Sequence, residues 1–127
     1  MFSHIMIGTN NLDKAKTFYD AVLGTLGVPP AFVDGERHRI FYMTPTGVFS
    51  VSRPIDGKPA TVANGGTIGF ACKSSEQVEA WHKAGLAAGG KAIEDPPGVR
   101  DGGNGKLYLA YLRDPDGNKV CALHRMQ

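Results

Sequence analysis

Histidine and cysteine are the residue types in this sequence best suited to chemistry near neutral pH. His4 lies in the apolar segment 2–8, where its imidazole could act as an acid–base group, a metal ligand or a hydrogen-bond donor to a ligand. Cys72 and Cys121 are 49 residues apart, with no CxxC or His/Cys spacing around them. This spacing excludes a zinc finger and is typical of a reduced, cytoplasmic chain.

Arg100 lies in the glycine-rich segment 98–105, for which the sequence predicts a loop. Such loops serve either as lids over binding sites or as solvated turns, and an arginine in a lid could contact an anionic ligand. The segment lacks the GxxxxGK[ST] spacing of a phosphate-binding loop and does not open a helix. The sequence also shows no recognisable Ser-His-Asp arrangement and no paired-carboxylate motif.

Composition and net charge limit the classes of protein to which this chain can belong. The chain has 127 residues, of which 42% are apolar and 20% charged, so a single globular domain can fold without a disulfide or a metal. A net charge of +2 is too balanced for binding nucleic acid or a membrane surface. No apolar segment approaches the ~20 residues that span a bilayer, and the start does not resemble a signal peptide. We therefore expect a cytoplasmic protein with neither nucleic acid nor membrane as a partner.

The elements that must position these residues form a repeated pattern. Alternating apolar residues predict a strand over residues 2–8, and an apolar helical face follows a helix N-cap at Asn11. Three short strands are predicted next, over residues 31–34, 38–43 and 48–53. After a segment rich in glycine and proline, the same order returns as a strand, a helix capped by Ser74 or Ser75, and three strands, over residues 67–72, 75–88, 91–94, 107–113 and 119–124.

The repeat extends to single residues. With an offset of 63, His4 aligns with Thr67 and Phe18 with Trp81, and both aromatic residues are predicted to lie in the core. Consecutive strands joined by tight turns indicate an α+β fold with largely antiparallel sheet, one face of which a helix covers in each half. The sequence predicts one domain, composed of module one (residues 1–53), a linker (54–66) and module two (67–127).

Two motifs in this layout carry a resemblance to a known family. One is His4 followed by a helix with Phe18-Tyr19 and Leu23-Gly24, and the other is the turn Asp114-Pro115-Asp116-Gly117-Asn118 between two apolar strands. Together they resemble the vicinal oxygen chelate superfamily, which includes glyoxalase I, bleomycin-binding proteins, fosfomycin-resistance proteins and extradiol dioxygenases. The resemblance covers the whole chain. It implies two βαβββ modules that form an open, eight-stranded, antiparallel-rich cup, commonly in a homodimer.

The resemblance also implies four ligand positions for a divalent metal ion inside the cup. They fall on His4, Ser50, Thr67 and Cys121, and only His4 carries the ligand expected there. Serine and threonine hydroxyls are weak ligands, whereas catalytic sites hold the ion with about three protein ligands. We therefore expect no cofactor, because zinc, iron, nickel or manganese would find an incomplete ligand set.

The cup implied by the resemblance has a mixed polar and apolar lining. His4 and Cys121 are the candidate catalytic residues, although a cysteine in such a position is more often a small buried apolar side chain than a nucleophile. Tyr111 is similar to a tyrosine that faces the cavity in fosfomycin-resistance proteins, and it could instead serve in packing. The candidate ligand-pocket residues are Met6, Ser50, Thr67, Arg100 and Tyr111.

Three functions remain open from the sequence. The first is binding of a small molecule in the cup beside a degenerate metal site, as in bleomycin-binding proteins. The second is a lyase, isomerase or dioxygenase of the same superfamily that uses His4 with or without a divalent metal. The third is a non-catalytic structural or interaction module, which a cup filled by aromatic side chains would indicate.

Overall fold

The computed structural model describes residues 1–126, so Gln127, the last residue of the predicted module two, lies outside the described residues. Two modules follow one another along the chain. The elements are β1 (His4–Gly8), α1 (Leu12–Gly24), β2 (Phe32–Asp34), β3 (Arg39–Thr44), β4 (Gly47–Ser52), β5 (Ile68–Ala71), α2 (Ser75–Ala87), β6 (Lys91–Ala92), β7 (Gly98–Asp101), β8 (Lys106–Arg113) and β9 (Lys119–Arg125).

Each module builds its own mixed sheet. The first sheet has the order β1-β4-β3-β2, in which β1 and β4 are parallel and the other pairs are antiparallel. The second has the order β5-β9-β8-β6, with β7 also paired to β8 and with β5 and β9 parallel. The predicted α+β fold of two βαβββ modules is confirmed.

Both helices begin at the polar caps that the sequence indicates. The Asn11 side chain accepts a hydrogen bond from the Lys14 backbone N–H at 3.0 Å, and Ser74 accepts one from the Gln77 N–H at 3.1 Å. These bonds satisfy N–H groups that the first helical turn leaves without partners. The structure selects Ser74 over Ser75 as the second cap.

One apolar core joins the two modules. Phe18 and Trp81, which the repeat aligns, are both completely buried, as predicted. The rings of Phe49 on β4 and Phe70 on β5 meet edge to face, with centroids 5.3 Å apart, so the helix-covered sides of the two sheets share aromatic packing. The helices also pack on each other, which makes the core continuous.

The turn at residues 114–118 ties module two to module one. The buried Asp114 carboxylate accepts a hydrogen bond from the Tyr19 hydroxyl at 2.7 Å, and also from the backbone N–H groups of Asp116 and Asn118. The Asn118 side chain donates to the Gly8 carbonyl at the end of β1. The turn therefore fixes the orientation of one module relative to the other while it joins β8 to β9.

The predicted loop over residues 98–105 is wrong in its first half. Gly98–Asp101 is strand β7 and pairs with β8, which is long enough to accept this partner as well as β6. Pro96 and Pro97 interrupt the segment between β6 and β7, so the described chain has nine strands in two sheets. The glycines correctly indicate a loop only over residues 102–105, where Gly103 and Gly105 have positive φ angles.

Candidate functional site

Each sheet has one face packed under the helices and an opposite face, which we call the cup face. In module one, Phe49 and Val51 of β4 point into the core, so the alternate residue Ser50 lies on the cup face. The register places Met6 beside Ser50 and His4 beside Val48. The structure therefore brings three of the predicted site residues, His4, Met6 and Ser50, onto one surface.

His4 is exposed at the start of β1. Its Nδ1 lies 2.8 Å from the Ser3 hydroxyl, and Ser3 is its only hydrogen-bond partner within residues 1–126. A general base is usually oriented by a second group that holds its ring, most often a carboxylate. His4 has no such partner in one chain, so its imidazole is available to a ligand without being fixed for proton transfer.

Ser50 and Thr67 differ from each other in their surroundings. Ser50 is buried, and its hydroxyl donates a hydrogen bond to the Ile5 carbonyl at 3.0 Å, so its proton is already used inside the sheet. Thr67 is exposed and lies immediately before β5 rather than inside it. Ser50 thus shapes the floor of the cup face, whereas Thr67 lies at its edge.

The cup face of module two is centred on Tyr111 and Cys121, which are register partners on β8 and β9. Cys121 lies above Gly69, because a Cβ added at Gly69 would be only 3.1 Å from the Cys121 Sγ. The Lys119 ammonium lies 4.8 Å from the centroid of the Tyr111 ring and also pairs with Glu94. This surface therefore combines an aromatic ring, a thiol and an ion pair.

Lys119 and Glu94 are not among the site residues predicted from the sequence. A signal for Lys119 was present, because it has the same strand parity as Cys121 and follows the turn directly. Glu94 has a backbone φ of 60° and lies outside β6, so strand alternation could not place its side chain.

Cys121 is held as a neutral thiol. Burial raises the pKa of the Cys121 thiol to about 11, and the nearby positive charge of Lys119 offsets only part of this effect. Burial also raises the pKa of the Tyr111 hydroxyl, with Cys121 and Glu94 adding to the shift. Since the thiolate is the nucleophile and the metal ligand, the surroundings of Cys121 do not favour the predicted catalytic role.

We expect Cys121 to react slowly with alkylating reagents. In a Cys72→Ser variant, the iodoacetamide rate at pH 7 should be about a hundredfold below that of a cysteine with an ordinary pKa near 9, because the thiolate fraction falls tenfold per pKa unit. The measurement is mass-spectrometric labelling over a pH series, with the unfolded variant as the control. Equal rates in the folded and unfolded protein would contradict the assignment.

Arg100 lies on the cup face of module two but is not part of a lid. It belongs to β7, and its Nη2 donates hydrogen bonds to the carbonyls of Asp95 and Pro96, each at 3.0 Å. The guanidinium therefore closes the bend between β6 and β7. Of the two roles left open for this segment, a lid does not fit Arg100, because the residue is paired into the sheet.

The two cup faces are separate surfaces in a single chain. Within residues 1–126, no Cα atom in a strand of one sheet lies within 8 Å of a Cα atom in a strand of the other. His4, Met6 and Ser50 therefore form one group, and Arg100, Tyr111 and Cys121 form another. No hydrogen bond among the described residues connects the groups, so no contact joins the candidate catalytic residues His4 and Cys121 in one chain.

The residues at the four implied metal positions do not fit a divalent ion. Across the described part of the chain, no three His, Cys, Asp or Glu side chains come together as a metal-binding group. Of the four positions, Ser50 and Thr67 carry neutral hydroxyls and Cys121 carries a protonated thiol, which leaves His4 alone. A single imidazole does not hold a catalytic ion, which needs about three protein ligands.

None of the described helices combines the length and the apolar character needed to cross a membrane. The chain matches the model of a protein family over residues 1–122. That family is described as the Glyoxalase/Bleomycin resistance protein/Dioxygenase superfamily.

Solved structures resemble the chain over almost its whole length. A glyoxalase/bleomycin resistance protein from Albidiferax ferrireducens T118 is 59% identical with a TM-score of 0.95, over 98% of this chain and 99% of that one. A lactoylglutathione lyase from Agrobacterium tumefaciens is 20% identical with a TM-score of 0.68, over 98% and 92% of the two chains. A glyoxalase/bleomycin resistance protein/dioxygenase family enzyme from Burkholderia phytofirmans PsJN is 16% identical with a TM-score of 0.72, over 98% of each chain. The last two likenesses concern the fold alone.

Proposed function

Because the chain belongs to the glyoxalase, bleomycin resistance protein and dioxygenase superfamily, we propose that it binds a small organic molecule on its cup faces without a metal ion. The observation that carries this proposal is the donor set, in which His4 alone supplies a good metal ligand among the four implied positions. The substituted positions carry small side chains, Ser50, Thr67 and Cys121, and such side chains leave room for a ligand where an ion would otherwise be held.

The two cup faces supply complementary contacts for such a ligand. Module one offers Met6, which is 42% exposed, and the imidazole of His4. Module two offers the half-buried ring and hydroxyl of Tyr111 beside the Lys119 and Glu94 pair. An adaptable thioether, an aromatic ring and a few polar groups are the usual composition of a ligand pocket.

The free thiols of Cys72 and Cys121 support a reducing, cytoplasmic location as part of the proposal.

A homodimer that joins cup faces from two copies is part of the proposal. Strands β1 and β5 each pair on one side only, so both are edges that another strand or chain can cover. On the cup face of module one, Phe32 and Met43 are 66% and 63% exposed, which is apolar surface in need of a partner.

Light scattering should give twice the mass of one chain, and Met43→Asp should shift the protein toward the monomer. A wild-type monomer at micromolar concentration would contradict this part.

The binding proposal is tested with the neutral dye Nile red in buffer containing EDTA. We expect saturable fluorescence enhancement, because the cup faces need no ion to present Met6 and Tyr111. Tyr111→Ala should weaken the dye's affinity by about fivefold or more, the value of one aromatic contact of about 1 kcal/mol.

Val99→Ala is the matched control, because Val99 is half exposed on the opposite face of the second sheet. It should leave the affinity unchanged. Equal effects of the Tyr111 and Val99 substitutions, or no saturable binding in the wild type, would refute binding on the cup face.

A further inference from the structure

A cavity of about 720 Å³ lies at one end of the module-one sheet, between the start of β3 and the loop after β4. We call it the basic cavity. Four of its lining side chains carry a positive charge, namely Arg37, Arg39, Arg53 and Lys58. It contains none of Met6, Ser50, Tyr111 or Cys121, and it meets the cup face of module one only at Arg39, whose register partner Ser52 has the same strand parity as Ser50.

The positive charge in the basic cavity is only partly compensated. No carboxylate side chain is among the lining residues. Of the four cations, Arg37 alone forms a salt bridge within residues 1–126, with Asp34 at 3.2 Å, and Asp34 is also the register partner of Arg39 on the neighbouring strand. Arg53 and Lys58 have no side-chain hydrogen bond within residues 1–126. Like charges gathered in a concave site repel one another and create a strong local potential, which an anion relieves.

Two of the four cations are held toward the cavity by the sheet. The Arg39 Nε donates a hydrogen bond to the Ser52 hydroxyl at 3.2 Å, and the two residues are register partners on β3 and β4. The Arg53 backbone N–H donates to the His38 carbonyl at 3.0 Å, which fixes the position from which its side chain starts. His38 itself has a φ of 56°, a conformation that is uncommon outside glycine and that turns the chain sharply between Arg37 and Arg39.

Apolar residues of the loop after β4 form one wall of the cavity. They are Pro54, Ile55 and Pro59, of which Ile55 is 89% exposed. Asn10 anchors this loop because its side chain accepts from the Ala60 N–H at 2.7 Å and donates to the Ala60 carbonyl at 3.2 Å. A preorganised wall reduces the entropy lost when a ligand binds.

We propose that the basic cavity binds a small organic phosphate, with the phosphate group among Arg39, Arg53 and Lys58 and the organic part against Ile55 and the two prolines. Guanidinium groups match phosphate oxygens through paired hydrogen bonds. A doubly charged phosphate monoester also compensates the charge of several cations better than a single carboxylate does. The volume exceeds what a bare phosphate fills, so an organic substituent adds contacts.

Calorimetric titration with phenyl phosphate tests this proposal, with inorganic phosphate, benzoate and phenol as comparison probes. We expect phenyl phosphate to bind at submillimolar concentration, inorganic phosphate and benzoate more weakly, and phenol not at all. Affinity should fall steeply between 50 and 300 mM salt, because exposed charges carry the binding. Binding of benzoate as tight as that of phenyl phosphate, or no saturable binding of phenyl phosphate, overturns the proposal.

Variants locate the site and separate it from the cup faces. Arg53→Gln and Lys58→Gln, both exposed and outside the core, should each weaken phenyl phosphate about tenfold and leave Nile red unaffected. Lys106→Gln removes one exposed charge elsewhere and should change affinity less than twofold, and Tyr111→Ala should leave phenyl phosphate unaffected. Equal effects of Arg53→Gln and Lys106→Gln mean attraction by net charge alone and overturn the proposal, whatever the Nile red result.

Discussion

Replacing Asp114 with alanine is expected to lower the free energy of unfolding by about 3–5 kcal/mol, because one buried carboxylate satisfies several donors at once. The Tyr19 hydroxyl, the backbone N–H groups of Asp116 and Asn118, and the Asn118 side chain all donate to it. Without it, the buried Tyr19 hydroxyl and two partly buried backbone N–H groups lose their acceptor. Urea denaturation followed by circular dichroism measures the change.

The matched control for this substitution is Asp95→Ala. Asp95 is exposed, and within residues 1–126 only its backbone carbonyl, which alanine retains, takes part in a hydrogen bond. We expect a change within about 0.5 kcal/mol, as for ordinary surface substitutions. Similar losses for the two variants would mean that the turn at residues 114–118 does not hold the modules together.

A valine at Gly85 is expected to cost about 3 kcal/mol or more, because the two helices meet there without room for a side chain. A Cβ added at Gly85 would lie 2.2 Å from Leu112 Cδ1 and 3.0 Å from Val22 Cγ1, both far inside normal contact. The clash forces α1, α2 and β8 apart at the centre of the shared core. Thermal and urea unfolding of the purified variant give the magnitude.

Gly24→Val is the control, since Gly24 is also a helical glycine but has no atom within 4 Å of an added Cβ. Its stability should change by less than about 1 kcal/mol, because only helix propensity and chain entropy differ. If Gly85→Val were as stable as Gly24→Val, the close approach of the helices would be wrong.

Local signals in the sequence predict most of the fold. The cap at Asn11, a second cap at Ser74 or Ser75, and the burial of Phe18 and Trp81 depend on helix chemistry and periodicity within short windows. The sequence left the choice between the two serines open. Strand β7 could not be predicted, because pairing of Val99 and Arg100 with β8 depends on register between strands and not on the glycines nearby.

In the candidate site, too, local sequence signals predict some features, whereas others depend on pairing between distant segments. Strand parity placed Ser50 on the other face of β4 from Phe49 and Val51. The hydrogen bond from the Ser50 hydroxyl to the Ile5 carbonyl, however, depends on the parallel pairing of β1 with β4. The basic cavity was hidden because its cations lie on two separate segments of a chain with a net charge of only +2. The pairing of β3 with β4 and the folding of the loop after β4 against Asn10 bring these cations together.

Elemental analysis tests most directly the claim that the cup faces act without a metal ion. Untagged protein is equilibrated with zinc, manganese, nickel and iron in turn and dialysed before analysis, with His4→Ala treated in parallel. We predict well under one ion per chain for every metal and no difference between the two proteins. One ion per chain in the wild type that is lost in His4→Ala would contradict the account.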